Sequence, residues 1–303
     1  MTDHATPTEI RDLLSAVADA DGVEALSEQF VLGLGDARLG HRHHFRRTEG
    51  RLAGLIACAG EEAEMAVHPD FRRQGIGSAL LADAAPAAVW AHGNLASAQG
   101  FATAQGARIT RRLLVMAIAG QALEAAVEGA GEAAAASASD LEWWTYADAV
   151  GEWGADAVDA AWVSANNEAF SWHPEQGGWD VARLRRGMEA EWFTERDVIL
   201  LIDRSGGTFQ VAGFHWTKFH GADEASGTVT GEVYVVGLAD AYRGRGLGQP
   251  LLQAGMMRQW ERGARRVILY VEADNEPAVA VYRKLGFDVA EEHVVYSLAT
   301  SQK

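Results

Sequence analysis

A glycine-rich loop occurs twice in this chain of 303 residues, and the repetition constrains the fold more than any other feature. Arg72, Gly75 and Gly77 recur as Arg243, Gly246 and Gly248, each 171 positions further on. The matches continue downstream: Asn94 recurs as Asn275 after 181 positions and Gly106 as Gly286 after 180. Each loop follows a strand-like run, opens an apolar helix, and is followed by a second strand and an Asn-led helix. A period this long is no solenoid; it predicts a duplicated α/β domain, and the length leaves room for two modest domains.

Hydrophobic periodicity fills in the elements. In the first half, helical spacing covers Glu9 to Leu34. Strand-like runs at Arg51–Ala59 and Ala63–Val67 lead to the loop Arg72–Gly77 and a helix Ser78–Ala85. Strand Ala88–Ala91, helix Leu95–Gln105 and strand Arg112–Ile118 complete it. The second half predicts helices at Ala155–Asn166 and Asp180–Trp192, strands at Val198–Asp203, Phe209–Phe219 and Gly231–Leu238, the loop Arg243–Gly248 and a helix reaching Gly263. Strand Arg266–Glu272, helix Glu276–Leu285 and a terminal strand Ala290–Ala299 follow. The stretch Ala119–Glu142 is rich in Ala and acidic residues and lacks Lys and Arg. It reads as a solvated linker with a nascent helix at Gln121–Glu128. The expected domains are therefore 1–120 and 141–303, joined by a linker at 121–140.

Composition narrows the function classes. The chain is 48% hydrophobic and 22% charged, enough for a core. Its formal net charge of −16 argues against nucleic-acid binding and against docking on anionic lipid. The single cysteine, Cys58, lies in an apolar run and excludes an internal disulfide framework. His41, His43 and His44 cluster among Arg42, Arg46 and Arg47 without the acidic support a metal site needs, so no metal is expected. The N-terminus has no basic stretch followed by an apolar core, and no apolar run approaches the ~20 residues of a membrane span. A cytoplasmic monomer without membrane or nucleic-acid partners is expected.

The loops carry the chemistry. Arg-x-x-Gly-x-Gly between a strand and a helix lets backbone N–H groups approach an anion, and the helix N-terminus adds its positive end. Arg72-Arg73, Arg243 and Arg245 make the loops basic on an acidic protein. Gly244-Arg245-Gly246-Leu247-Gly248 is followed by Gln249, so the dinucleotide fingerprint fails, and neither half has the Gly-Lys-Ser/Thr of a P-loop. A pyrophosphate cradle of another kind is indicated.

Met65-Ala66-Val67-His68-Pro69 with Arg72-Arg73-Gln74-Gly75-Ile76-Gly77 resembles the coenzyme A motif of GNAT N-acetyltransferases, as does Val235-Val236-Gly237-Leu238 with Arg243-Gly244-Arg245-Gly246-Leu247-Gly248. Leu269-Tyr270-Val271-Glu272 with Asn275-Glu276-Pro277-Ala278-Val279-Ala280-Val281-Tyr282 is similar to the superfamily's next motif. The tandem layout and the segments His173-Pro174-Glu175-Gln176-Gly177-Gly178-Trp179, Trp216-Thr217-Lys218 and Glu232–Gly237 resemble the mycothiol-forming branch. That resemblance covers nearly the whole chain. It implies two tandem domains, each a mixed, mostly antiparallel sheet flanked by helices. It also implies acetyl-CoA as cosubstrate and the cysteine amine of cysteinyl-glucosaminyl-inositol as acceptor. Coenzyme A contacts are implied at Val236, Gly237, Leu238, Arg243–Gln249 and Asn275–Ala280, and at Met65, Ala66, Val67 and Arg73, Gln74, Gly75, Ile76, Gly77 and Ser78. Acceptor contacts are implied at Asp36, Glu175, Lys218, Glu232 and Tyr270.

Roles for two residues follow from chemistry and resemblance together. An α-amine, with an ordinary pKa of roughly 8, asks little of its base, and a carboxylate suffices. Glu232 on the strand before the loop fits this role, and Tyr282 fits the acid that protonates the departing thiolate. Backbone N–H groups near Val236 and Leu238 are the candidates for stabilising the oxyanion. At the loop offset of 171 Glu232 matches Glu61, but at the helix offset of 181 Tyr282 matches Phe101, which cannot donate a proton. The first half is also expected to lack the long paired strands before its loop. It is expected to bind coenzyme A without catalysing, leaving chemistry to the second half. Two alternatives stay open: a GNAT enzyme for another amine, such as an aminoglycoside or a protein N-terminus, and an acetyl-CoA sensor without turnover.

Overall fold

The computed structural model describes residues 4–135, 141–172, 176–223 and 226–298. Helix α1 (Pro7–Asp21) begins on a capping box, in which Thr6 and Glu9 satisfy each other's backbone amides, with Pro7 in the first turn. It ends where Gly22 turns left-handed at φ 72°. The periodicity expected to run unbroken to Leu34 is therefore interrupted, and α2 (Glu28–Gly35) is a separate helix. Strand β1 (Arg42–Thr48) pairs with β2 (Arg51–Ala59), which pairs with β3 (Glu62–Val67), all antiparallel. The paired strands expected to be missing before the first loop are thus present. Charged β1 hid itself because only Phe45 is buried in it. Helix α3 (Ile76–Ala84), β4 (Ala88–Ala91), α4 (Ala96–Ala104) and β5 (Arg108–Ala119) follow.

The stretch read as a solvated linker forms helix α5 (Gly120–Ala135). Leu123, Ala126 and Val127 are buried, a three-and-four spacing that seats one face of the helix. Strand β6 (Leu141–Thr145) and helix α6 (Tyr146–Trp153), capped by Thr145, were not anticipated. Helices α7 (Ala155–Ala169) and α8 (Val181–Gly187), strands β7 (Val198–Asp203), β8 (Gln210–Ala222) and β9 (Val229–Leu238), helix α9 (Gly248–Glu261), strand β10 (Arg266–Glu272), helix α10 (Glu276–Lys284) and strand β11 (Asp288–Ser297) match the expected order.

The chain folds into two compact units. One holds the chain up to Leu114, Glu272–Asp274 and the chain from Glu291 on; the other holds Val115–Val271 and Asn275–Ala290. In the first, the strand order is β1-β2-β3-β4, followed by the end of β11 and then the start of β5. The terminal strand thus returns to the first unit, pairing Val294–Ser297 antiparallel with Ala91–Ala88 of β4. In the second unit the order is β10-β9-β8-β7-β6. In each unit the pair that flanks the loop, β3/β4 or β9/β10, is parallel. The first core gathers Leu13, Val17, Leu26, Phe30 and Leu55; the second is built on Trp162, Phe214, Trp216 and Leu184.

Candidate active site

The two glycine-rich loops share a backbone. Arg72 and Arg243 both have φ −67°, with ψ 157° and 151°. One residue on, Arg73 and Gly244 are left-handed at φ 63° and 71°, and Gly75 and Gly246 follow at 83° and 77°. Arginine at position 73 occupies a conformation that favours glycine. The helices that open there, α3 and α9, have no side-chain cap, so their first N–H groups are left for an anion. The loop arginines have another task than the charge assigned to them. Arg72 Nε donates to Val67 O at 3.1 Å, and its other nitrogens clasp Asp21. Arg243 donates to the carbonyls of Leu238, Glu168 and Ala169. Both pin the loop to the preceding strand and a helix, leaving exposed Arg73 and Arg245 as the outward charges. Arg245 lies over the Tyr242 ring, 5.2 Å from its centroid.

Beside each loop the parallel pair splays. The β9/β10 ladder ends at Val233↔Leu269, although β9 runs on to Leu238 and β10 to Glu272. The β3/β4 ladder ends at Ala63↔Val89, with β3 running on to Val67. Beyond these points the facing backbone edges can receive an extended, amide-bearing ligand as a strand would be received. In the first unit the splay opens into a cavity of about 450 Å³, walled by Met65–Val67, Arg73, Gly75–Ser78, Phe101 and Tyr296 among others. A Cβ on Gly77 would come within 3.2 Å of Met65 and Phe101, so glycine there preserves the gap.

Glu232 sits just before the second splay, 6% exposed, on β9. It pairs with Lys218 across β8 and with Ile268 across β10. Its neighbour Gly231 faces α9, since a Cβ there would collide with Gln259; Glu232 therefore points to the opposite face. Lys218 shares that face by its pairing, and Tyr270, two residues beyond Ile268, shares it by alternation. Lys218 Nζ lies 4.9 Å over the Trp192 ring and 6.0 Å over Tyr234, and Tyr270 is 46% exposed. Glu232 Oε2 is 2.7 Å from His220 Nε2. Sequence reasoning missed His220, Trp192 and Tyr234; only the nearness of His220 to Lys218 hinted at it.

Asn275 caps α10, its Oδ1 accepting from Ala278 N at 3.3 Å, which sets the helix carrying Tyr282. The Tyr282 ring leans on Phe287, with centroids 6.0 Å apart. Burial pushes its phenol up from a range in which the oxygen already holds its proton at neutral pH.

Other expected residues are placed less simply. Glu61, the offset match of Glu232, is exposed in the turn between β2 and β3 and is no counterpart. The first unit instead buries Glu64, which accepts from Ser27 N at 2.6 Å and lies 3.0 Å from His92 Nε2. Asn94 does not cap α4; its Oδ1 accepts from the Tyr296 hydroxyl. Asp36, in the first unit, caps a short turn and holds Arg38 by both carboxylate oxygens. Glu175 lies outside the described residues. The described side of its loop is tied to α7: Asn166 donates to Gln176 O, and Asn167 bonds both backbone groups of Trp179. No group of three or more His, Cys, Asp or Glu among the described residues could hold a metal ion. No helix among them is long and apolar enough to cross a membrane.

Doubled loops, splayed parallel strands and uncapped helix N-termini are the features of an acetyl-CoA-dependent GNAT acetyltransferase. Residues 147–287 match the acetyltransferase (GNAT) family and residues 39–113 an acetyltransferase (GNAT) domain. Solved structures with the same fold include a tandem GNAT protein from the clavulanic acid biosynthesis pathway, with TM-score 0.66 and 20% identity over 95% of this chain and 93% of that one. A GCN5-related N-acetyltransferase from Sphaerobacter thermophilus gives TM-score 0.64 and 22% identity over 96% and 93%. The curated relatives are nearer. The mycothiol acetyltransferase of Corynebacterium aurimucosum is 52% identical, covering 95% of this chain and 93% of its own. That of Corynebacterium efficiens is 53% identical over 94% and 90%. The chain belongs to the mycothiol acetyltransferase family.

Proposed function

We propose that this chain moves the acetyl group of acetyl-CoA to the cysteine amine of cysteinyl-glucosaminyl-inositol, giving mycothiol and coenzyme A, and that the second unit performs the chemistry. The observation that carries the division of labour is the buried Glu232 beside the β9/β10 splay, with a protonated phenol at Tyr282. The first unit has Phe101 in its cavity wall where the helix offset calls for that phenol. The substrate assignment rests on the names of the relatives.

Glu232 takes a proton from the acceptor ammonium, directly or through a water. The freed nitrogen pair attacks the thioester carbonyl carbon, and the developing oxyanion is held by backbone N–H of β9 near Val236 and Leu238. The carbon–sulfur bond then breaks, Tyr282 gives its proton to the sulfur, the nitrogen's surplus proton passes through water to the phenolate and restores it, and Glu232 releases its own proton to solvent. Lys218, Tyr270, Asp36 and Glu175 are the acceptor contacts in this reading. Arg243–Gln249 and Asn275–Ala280 hold the carrier in the second unit, and Met65–Val67 with Arg73–Ser78 hold a second, unreactive copy in the first. The protein acts as a cytoplasmic monomer.

Acetyl-CoA with a panel of amines, read by released thiol, tests the proposal. Cysteinyl-glucosaminyl-inositol is expected to give the highest kcat/KM. Faster turnover of an aminoglycoside or peptide N-terminus overturns the substrate, and acetyl-CoA binding without thiol release under any acceptor overturns the transferase reading.

A further inference from the structure

Glu232 lies between two irregularities in the β8/β9 ladder. On one side the partners pass from Trp216↔Val235 to Thr217↔Val233, leaving Tyr234 as an extra residue on β9. On the other they pass from Phe219↔Gly231 to Gly221↔Thr230, leaving His220 as an extra residue on β8. Gly221 supplies the left-handed φ of 77° that follows the second bulge. A bulge bends a strand and re-aims a side chain. Here it accompanies an imidazole turned toward a carboxylate that is not its direct cross-strand partner. Lys218 occupies the position opposite Glu232, yet its ammonium lies over the Trp192 and Tyr234 rings. The contact at 2.7 Å belongs to His220.

We propose that His220 is the positioning residue for Glu232 in the acetyl transfer, an inference that rests on Glu232 being the base. At 2.7 Å from a carboxylate oxygen, Nε2 carries the proton and donates it. One oxygen of Glu232 is thereby fixed, and with it the rotamer of the whole group. Oε1 is left to accept the ammonium proton or that of an intervening water. The carboxylate is almost wholly buried, whereas the His220 side chain is about a third exposed. His220 thus holds the base from the rim of the site without closing it. Misplacing a general base by about an ångström costs on the order of a hundredfold in rate, so a lost donor falls on kcat while acetyl-CoA binding stays as it was.

Three single variants and one double variant test this, with kcat and KM for both substrates read by thiol release and folding checked by thermal melts. H220F keeps the ring's bulk and removes the donor; its kcat is expected to fall about ten- to a hundredfold, with KM for acetyl-CoA unchanged. H220Q restores an N–H at similar reach and is expected to recover most of the rate, which a purely space-filling role would not produce. E232Q is expected to fall further, and adding H220F to it should cost little more, because the two residues act as a unit. An H220F enzyme with parental kcat beside an impaired E232Q overturns the positioning role alone. So does an H220Q enzyme as slow as H220F, or a loss confined to KM for acetyl-CoA. Parental turnover by E232Q overturns the base itself, and the proposal with it.

Discussion

Gly246 and Gly75 hold the same left-handed backbone, at φ 77° and 83°, and a Cβ added to either meets no atom within 4 Å. Alanine at either position therefore costs backbone strain and nothing else. A left-handed non-glycine residue is disfavoured by roughly 1–2 kcal/mol. If the loop relaxes to relieve that strain, its amides leave the position in which they meet a diphosphate, and the same energy appears in acetyl-CoA affinity. At 1.4 kcal/mol per factor of ten this is about a five- to thirtyfold rise in KM for Gly246→Ala. No side chain that moves a proton is touched, so kcat should hold. Gly75→Ala should remove a similar factor from binding in the first unit, read by calorimetry, while steady-state turnover stays parental. A fall in kcat for Gly75→Ala matching that of Gly246→Ala would defeat the division of labour. An unchanged KM for Gly246→Ala, with thermal stability also unchanged, would defeat the strain argument.

Tyr282→Phe removes the phenol proton and keeps the ring on Phe287; turnover should drop about a hundredfold or more with acetyl-CoA affinity retained, and a parental rate would remove Tyr282 from the reaction. Burial brings His215 down to about 4 from its ordinary 6.5, so the unfolded chain takes up protons first as the solution is acidified. Its contribution is full above about pH 6.5 and declines toward pH 4, by on the order of 2 kcal/mol between pH 7 and 5. Denaturant melts should therefore show a flatter pH slope in His215→Asn than in the parent, whatever the variant's stability at pH 7, and equal slopes would contradict this.

How far the sequence could be read depended on whether a signal was local. The loops are local: Arg-x-x-Gly-x-Gly between an apolar strand and an apolar helix dictates its own φ values, and both copies were visible in the chain. Glu232 was visible because its distance from the loop is covered by one uninterrupted strand. The same count failed for Glu61, because β3 is only 6 residues long and the offset runs off its end into a turn. Helix α5 was hidden by composition, the buried side chains described on it being only Leu123, Ala126 and Val127 in an otherwise Ala- and acid-rich stretch. His220 was hidden for a different reason. A bulge exists only in the pairing of two strands, and no property of His220 in the linear chain says which carboxylate it will meet. The return of β11 to the first unit is likewise a matter of long-range pairing, Val294 with Ala91.

The two units show why such a duplication can divide its labour. In the proposed reading the carrier is gripped by backbone, and backbone geometry survives many side-chain changes, as Arg73 beside Gly244 illustrates. Proton transfer depends on side chains and is lost more readily. In the first unit the buried carboxylate at the splay, Glu64, accepts from Ser27 N and sits beside His92. The phenol in its cavity wall, Tyr296, donates to Asn94. These groups are occupied with one another, and the residue at the acid's offset is a phenyl ring. In the second unit one oxygen of Glu232 meets His220, and burial raises the phenol of Tyr282. A unit that binds the carrier but has committed its proton carriers to internal hydrogen bonds is suited to holding it. The other is suited to spending the thioester, which is the asymmetry the paired glycine variants measure.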